Sequence, residues 1–307
     1  MRRLRVDSPS IRSVLLLLAA GLAACCGGSG GPTNPGSGAN LGPEPVPLSP
    51  IGGAQVTTDT PAFTVQNARG FDRNQAQYLF EVVTQGSGTV VASMSVPAGT
   101  TTTVATFIAG VPRGMRLAWR ATAQGAGGQV ASALAQFRMP AVACQPLTDG
   151  WAKSVVSVFL PFCPHFPNIY NDPLTVLGPY DAGGYGPNNY TGFLSLGDNG
   201  HVVVDMEACA TDGPGPDLRV FQAVGSEPVT VYAGGTPTGP FVLIEADKRC
   251  GERIPGNQTT RYCDFDLAVG EVQEARYFKV EDAEHFPCEQ AGTPSEGADI
   301  DAVRILH

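Results

Sequence analysis

Near its C-terminus the chain carries two acids, Asp299 and Asp301, in the run Ala298-Asp299-Ile300-Asp301-Ala302-Val303. At strand period both point to one face, and Val303 and Ile305 continue that face as apolar residues. Carboxylates at the mouth of an apolar strand suit a hard cation, since calcium takes about six to eight oxygens from side chains and loop carbonyls. Two more acids are candidates. Asp217 follows the turn-forming residues 212–216, and Asp282 ends the strand pattern of 276–281. If 276–281 and 299–306 are antiparallel neighbours, Asp282 comes beside Asp299. The expectation is a calcium site built from Asp217, Asp282, Asp299 and Asp301; the alternative is solvated acids at strand ends.

A second constellation is the loop containing Tyr180, Tyr185, Asn188 and Tyr190. Its aromatic faces and amides suit a sugar, although Gly, Asn and Tyr also make plain turns. Catalytic patterns are missing. The four histidines, His165, His201, His285 and His307, form no H-E-x-x-H, and no G-x-S-x-G occurs. No enzyme activity is expected on this basis.

Six cysteines follow residue 140: Cys144, Cys163, Cys209, Cys250, Cys263 and Cys288. None has the close spacing of a zinc site, and an even number in an exported chain predicts three disulfides. The pairing expected is Cys250–Cys263 across a hairpin-like excursion, Cys209–Cys288 near the acidic end, and Cys144–Cys163 at the start of the domain.

The composition behind these residues is that of an all-β protein: 307 residues, 38 Gly, 26 Pro and only 15% charged. The formal net charge is −9; without residues 1–24 it is −12, from 15 basic and 27 acidic residues. Such a surface has no electrostatic footprint for nucleic acid, and divalent cations are the more natural partners.

The chain divides into four stretches. Residues 1–24 read as an export signal, with Arg2, Arg3 and Arg5 before an apolar run. That run ends Leu22-Ala23-Ala24-Cys25, which resembles the lipobox of bacterial lipoproteins. The resemblance implies that Cys25 is acylated and anchors the chain to the cell envelope. The residue after it, Cys26, is not Asp, which by the same resemblance leans towards the outer membrane. Residues 25–44 form a Gly/Ser/Pro tether. Residues 45–140 carry about seven short alternating runs, among them 62–66, 77–83 and 116–123, with glycine-rich turns between them. Leu48-Ser49-Pro50, Tyr78-Leu79-Phe80-Glu81-Val82 and Leu117-Ala118-Trp119-Arg120 resemble fibronectin type III-like modules, and Trp119 is expected in the core.

Residues 150–307 hold eight or nine further strand candidates, which predict a jelly-roll sandwich. Leu177-Gly178-Pro179-Tyr180-Asp181, Asp217-Leu218-Arg219-Val220-Phe221, Arg276-Tyr277-Phe278-Lys279-Val280 and Asp299-Ile300-Asp301-Ala302-Val303 occur in that order. Together they look like a discoidin-like, galactose-binding-like β-sandwich of bacterial cell-surface proteins. Where such relatives often carry Glu-Asn after Val-Phe, this chain has Gln222-Ala223. The reading is therefore two β-sandwiches in tandem in a lipid-anchored surface binding or adhesion protein. Its C-terminal sandwich would bind a glycan or surface polymer, with structural calcium. The alternatives are a surface assembly component without a small ligand, and a secreted polysaccharide hydrolase.

Overall fold

A computed structural model describes residues 44–108, 110–161, 170–182, 191–223, 226–255, 257, 259–283 and 297–307. Strands dominate, as the alternating runs predict, and they form two β-sandwiches.

The first sandwich contains β1 (Val46–Ser49), β2 (Ala54–Gln55), β3 (Ala62–Gln66), β4 (Gln77–Thr84), β5 (Val90–Pro97), β6 (Thr102–Thr106), β7 (Leu117–Gly125), β8 (Gly128–Ala131) and β9 (Ala135–Arg138). One sheet has the order β1-β3-β6; the other runs β2-β9-β7-β4-β5, with β8 added beside β7. Tyr78, Phe80 and Val82 alternate inward from β4, as period two demands. Trp119 is 1% exposed; it packs on Phe63 and Phe80 and donates its indole N–H to the Pro50 carbonyl at 2.6 Å. Truncating such a side chain costs about 3–5 kcal/mol.

The second sandwich contains β10 (Ser154–Phe159), β11 (Leu194–Ser195), β12 (His201–Thr211), β13 (Leu218–Gln222), β14 (Pro228–Gly234), β15 (Val242–Arg249), β16 (Glu252–Arg253), β17 (Arg261–Phe265), β18 (Glu274–Asp282) and β19 (Asp299–Ile305). Its two sheets have the orders β10-β12-β18-β14-β15 and β11-β19-β13-β17-β16. Val202, Val204 and Met206 of β12 are buried in the core, as their parity predicts. The hairpin expected between 276–281 and 299–306 does not form. β18 pairs with β12 and β14, whereas β19 pairs with β11 and β13 in the facing sheet.

Both sandwiches belong to one compact unit, Ala39–His307, and the junction is closely packed. Met115 bridges to Val272, and Gln273 N donates to Gly114 O at 2.7 Å. Gly114 has φ +72°, and a Cβ there would lie 2.0 Å from Glu274 O, so this contact requires glycine. Glu271 reaches across to accept from Gly86 N and Ser87 N at 3.0 and 2.8 Å. The connecting segment is tied to β12: Gln145 N donates to Glu207 O, Arg276 donates to Ala143 O, and Cys144 is disulfide-bonded to Cys209.

Two disulfides are present among the described residues, Cys144–Cys209 and Cys250–Cys263, with Cα–Cα distances of 5.4 and 4.4 Å. Cys250–Cys263 joins the residues expected. Cys144–Cys209 replaces the expected Cys144–Cys163 and Cys209–Cys288, because the connecting segment lies along β12 and delivers Cys144 to that strand. Cys25, Cys163 and Cys288 lie outside the described residues.

Candidate functional site

The four predicted cation ligands do not meet. β13 and β19 run antiparallel, so Asp217, at the start of β13, lies beside Leu306 at the far end of β19. Asp299 opens β19 beside Ala223. Five or six residues of strand separate the two acids, roughly 17–20 Å at ~3.3 Å per residue.

Asp217 is fully buried and its carboxylate works as a backbone clamp. It accepts from Gly213 N at 2.9 Å and Leu267 N at 2.8 Å, and His307 Nε2 is 3.5 Å away. Burial pushes its pKa up, against the lowering effect of those N–H groups. Asp212 and Asp266 bring carboxylate oxygens within 4.8 Å of it, but Asp266 already caps the following turn by accepting from Ala268 N.

Asp299 and Asp301 also part company. The pairing of β13 with β19 slips between Ala302 and Ile300, so strict alternation is interrupted at Asp301. Asp301 is fully buried and accepts from Asp181 N (3.1 Å) and Ala182 N (3.2 Å), which fastens the 180–182 segment to the sheet. Burial outweighs these N–H groups and raises its pKa to about 7.

Asp299 is 4% exposed and lies opposite Ser195, which hydrogen-bonds to it. Its pKa is pushed well up, chiefly by burial, with charge on Glu227 and Asp282 adding to the effect. Asp282 reaches this group although it belongs to the other sheet. It accepts from Ala298 N at 2.8 Å, and a Cβ on Gly297 would stand 3.0 Å from its Cγ. Asp299 Oδ1 and Gln222 Oε1 are buried with no hydrogen-bond partner among the described residues. Oxygen donors without hydrogens to accept fit a hard cation. Asp299 and Gln222 carry such oxygens, and Asp282 and Glu227 are near enough for their charge to act on Asp299; Asp217 and Asp301 stand apart from this group, and among the described residues only Asp212, Asp217 and Asp266 bring three carboxylate oxygens within 4.8 Å of one another.

Sequence reasoning missed the outer face of the β19–β13–β17 sheet. Phe221 lies opposite Tyr262 on β17 and Ala302 on β19. Trp151 bridges to Arg304. Tyr180 stacks on Phe221 (centroids 4.9 Å, 23°) and meets Trp151 at 6.1 Å; Trp151 and Phe221 are 5.4 Å apart, and Phe221 and Tyr262 6.2 Å. Phe221 is the buried floor, while Trp151, Tyr180 and Tyr262 are half-buried. Arg304 stacks on Trp151 at 4.9 Å and Arg219 on Tyr262 at 3.8 Å. The period-two placement of Arg219 with Phe221, and of Tyr262 with Asp264, was a usable signal; Trp151 and Tyr180 come from loops and gave none. Of the predicted ligand loop, Tyr180 belongs to this face; Tyr185, Asn188 and Tyr190 lie outside the described residues.

Two clefts of about 470 and 800 Å³ open at the junction of the sandwiches. The arginines in the smaller one serve the fold: Arg113 pairs with Asp59, and Arg276 is bidentate to Asp205 at 2.7 Å. The histidines assemble no catalytic set among the described residues. His201 packs on the Phe159 ring, His307 approaches Asp217, and His165 and His285 lie outside them.

No protein-family model matches the chain, and no curated protein sequence matches it. Among solved structures it is similar to the secreted serine protease VesC from Vibrio cholerae, at 11% identity and a TM-score of 0.27, over 82% of this chain and 48% of that one. It spans about half the length of that protein. A second neighbour, described as BspA_C_WT, aligns at 9% identity and a TM-score of 0.18, over 78% of this chain and 90% of that one. Likeness at this level carries no argument about function.

Proposed function

We propose that this is a lipid-anchored, cell-surface binding protein whose C-terminal sandwich engages a glycan or another surface polymer on its aromatic face. The observation that carries the reading is the convergence of Trp151, Tyr180 and Tyr262 over Phe221, from two loops and two strands. Half-buried rings held by packing present apolar area at little entropic cost, which suits the C–H faces of a sugar. The first sandwich, read as a fibronectin type III-like module, offers no comparable ring cluster at its surface among the described residues and acts as a spacer. The second is read as discoidin-like, with a calcium ion beside the partnerless oxygens of Asp299 and Gln222 in a structural role.

Anchoring rests on Cys25 and the lipobox-like run before it. More than one acyl chain is needed for stable attachment. Cys25→Ser should move the protein from the membrane to the soluble fraction, and the wild-type N-terminus should carry lipid mass. For the aromatic face the test is a glycan array with wild-type protein, Tyr180→Ala and Trp151→Ala. Wild-type binding that both variants weaken supports the reading. Binding that neither variant changes counts against it, and a protein that binds no glycan would instead fit an assembly component.

A further inference from the structure

The chemistry at the edge of the aromatic face narrows the ligand. Arg219 and Arg304 lie directly opposite one another on β13 and β19. Like charges in facing positions of antiparallel strands cost stability unless each is matched. Arg219 is matched: it is bidentate to Asp264, at 2.6 and 2.8 Å. Arg304 is not. It is exposed, has no hydrogen bond or ion pair to a carboxylate among the described residues, and is held only by stacking on Trp151. Two neighbouring acids are engaged elsewhere. Asp149 receives Lys153 Nζ on both oxygens at 2.7 Å. Asp301 accepts the N–H groups of Asp181 and Ala182.

A guanidinium fixed over one aromatic ring, with Tyr180 meeting that same ring edge-to-face, pairs a planar anion-binding fork with a stacking surface. We propose that the aromatic face takes a carboxylated polysaccharide, a polymer of uronic acids, with the sugar ring on Tyr180 and Trp151 and its carboxylate on Arg304. The inference rests on the aromatic-face reading above and adds the ligand's charge. The formal net charge of −12 without residues 1–24 does not oppose it, because exposed charges beyond about 8 Å are largely screened at physiological ionic strength. The local guanidinium then decides.

The test uses the mature protein and immobilised oligosaccharides of galacturonate, glucuronate and mannuronate, each beside its carboxyl-reduced, neutral counterpart. Wild-type protein should bind at least one acid form about tenfold more tightly than its neutral form, the difference one charge-assisted bidentate contact makes. That preference should shrink as salt rises. Arg304→Gln, at an exposed position, should erase the preference, weakening the acid form far more than the neutral one. Tyr180→Ala should weaken acid and neutral forms together. Equal binding of both forms, or an acid preference that survives Arg304→Gln, overturns the uronate inference while leaving the aromatic-face reading in place. Indifference of all binding to Tyr180→Ala overturns that reading as well, whereas a wild-type protein that binds neither form overturns the uronate inference alone. Circular dichroism and melting curves that match wild type confirm that each variant is folded.

Discussion

The Asp301 carboxylate accepts the backbone N–H of Asp181 at 3.1 Å, which ties the closing strand to the residue that follows Tyr180. One buried acid thus positions one wall of the aromatic face, across 120 residues of sequence.

Asp301 gives a pH dependence whose sign is determined. Its folded-state pKa is raised to about 7 by burial, against about 3.9 unfolded. Between those values the folded state holds a proton that the unfolded state has released, so stability falls as pH rises from about 4 to about 7 and levels off above. The slope is about 1.4 kcal/mol per pH unit for one proton. Without a bound cation, Asp299 is shifted the same way and adds to it. Asp301→Asn keeps an oxygen for both N–H groups but cannot ionise. Denaturant melts at pH 5 and pH 8 should show a smaller difference for Asp301→Asn than for wild type; an equal difference would contradict the assignment.

Calcium should raise the melting temperature, and a chelator should lower it. An ion that binds only the folded state stabilises it by about 2.7 kcal/mol at a hundredfold excess over its dissociation constant. Asp299→Asn should abolish the response, because Asp299 carries a buried oxygen with no hydrogen-bond partner among the described residues. Asp301→Asn should keep it. Differential scanning calorimetry with and without calcium separates the two, and a response lost equally in both variants would refute the division between these acids.

The remaining cysteines should pair. With Cys144–Cys209 and Cys250–Cys263 formed, Cys163 and Cys288 are left from the six beyond the tether. Phe159, His201 and Glu281 are in register across β10, β12 and β18, so the two segments leave the same end of one sheet. The outer strands there are about 10 Å apart. Cys163 lies four residues beyond Phe159 and Cys288 six beyond Asp282, and such spans can close that gap at ~3.3 Å per residue. Peptide mapping without reduction should recover a Cys163–Cys288 cross-linked pair; free thiol at either position would count against it.

Gly114 should be sensitive to a single added methyl group. Its φ of +72° and the 2.0 Å approach to Glu274 O leave no room for a Cβ, and such strain costs of order 1–3 kcal/mol. Gly114→Ala should lower the melting temperature and expose the segment between the sandwiches to proteolysis. Unchanged cleavage kinetics would mean that the junction does not depend on this contact.

Local pattern was readable. The alternation of Ala62–Gln66, of β4 and of β12 marked the strands and their buried faces, and the indole of Trp119 went to the core as expected. The spacing of Cys250 and Cys263 also suggested their bond. Pairing between distant segments was not readable. The sequence put Asp282 near Asp299 through a hairpin that does not exist, yet the two approach because the ends of facing sheets converge. The sequence also put Asp299 and Asp301 on one face, and a one-residue slip against β13 gave them different neighbours.

The sequence by itself determined an all-β chain with two runs of strands, because side-chain direction along a strand follows from a period of two; that Asp217, Asp282, Asp299 and Asp301 are buried came from the structure. Only the tertiary structure decided which acids meet, that Cys144 bonds to Cys209, and that Trp151, Tyr180, Phe221 and Tyr262 form one face. Those outcomes depend on which strands share a sheet and in what register. Register is set by the burial of whole faces against one another, which no short window of sequence contains.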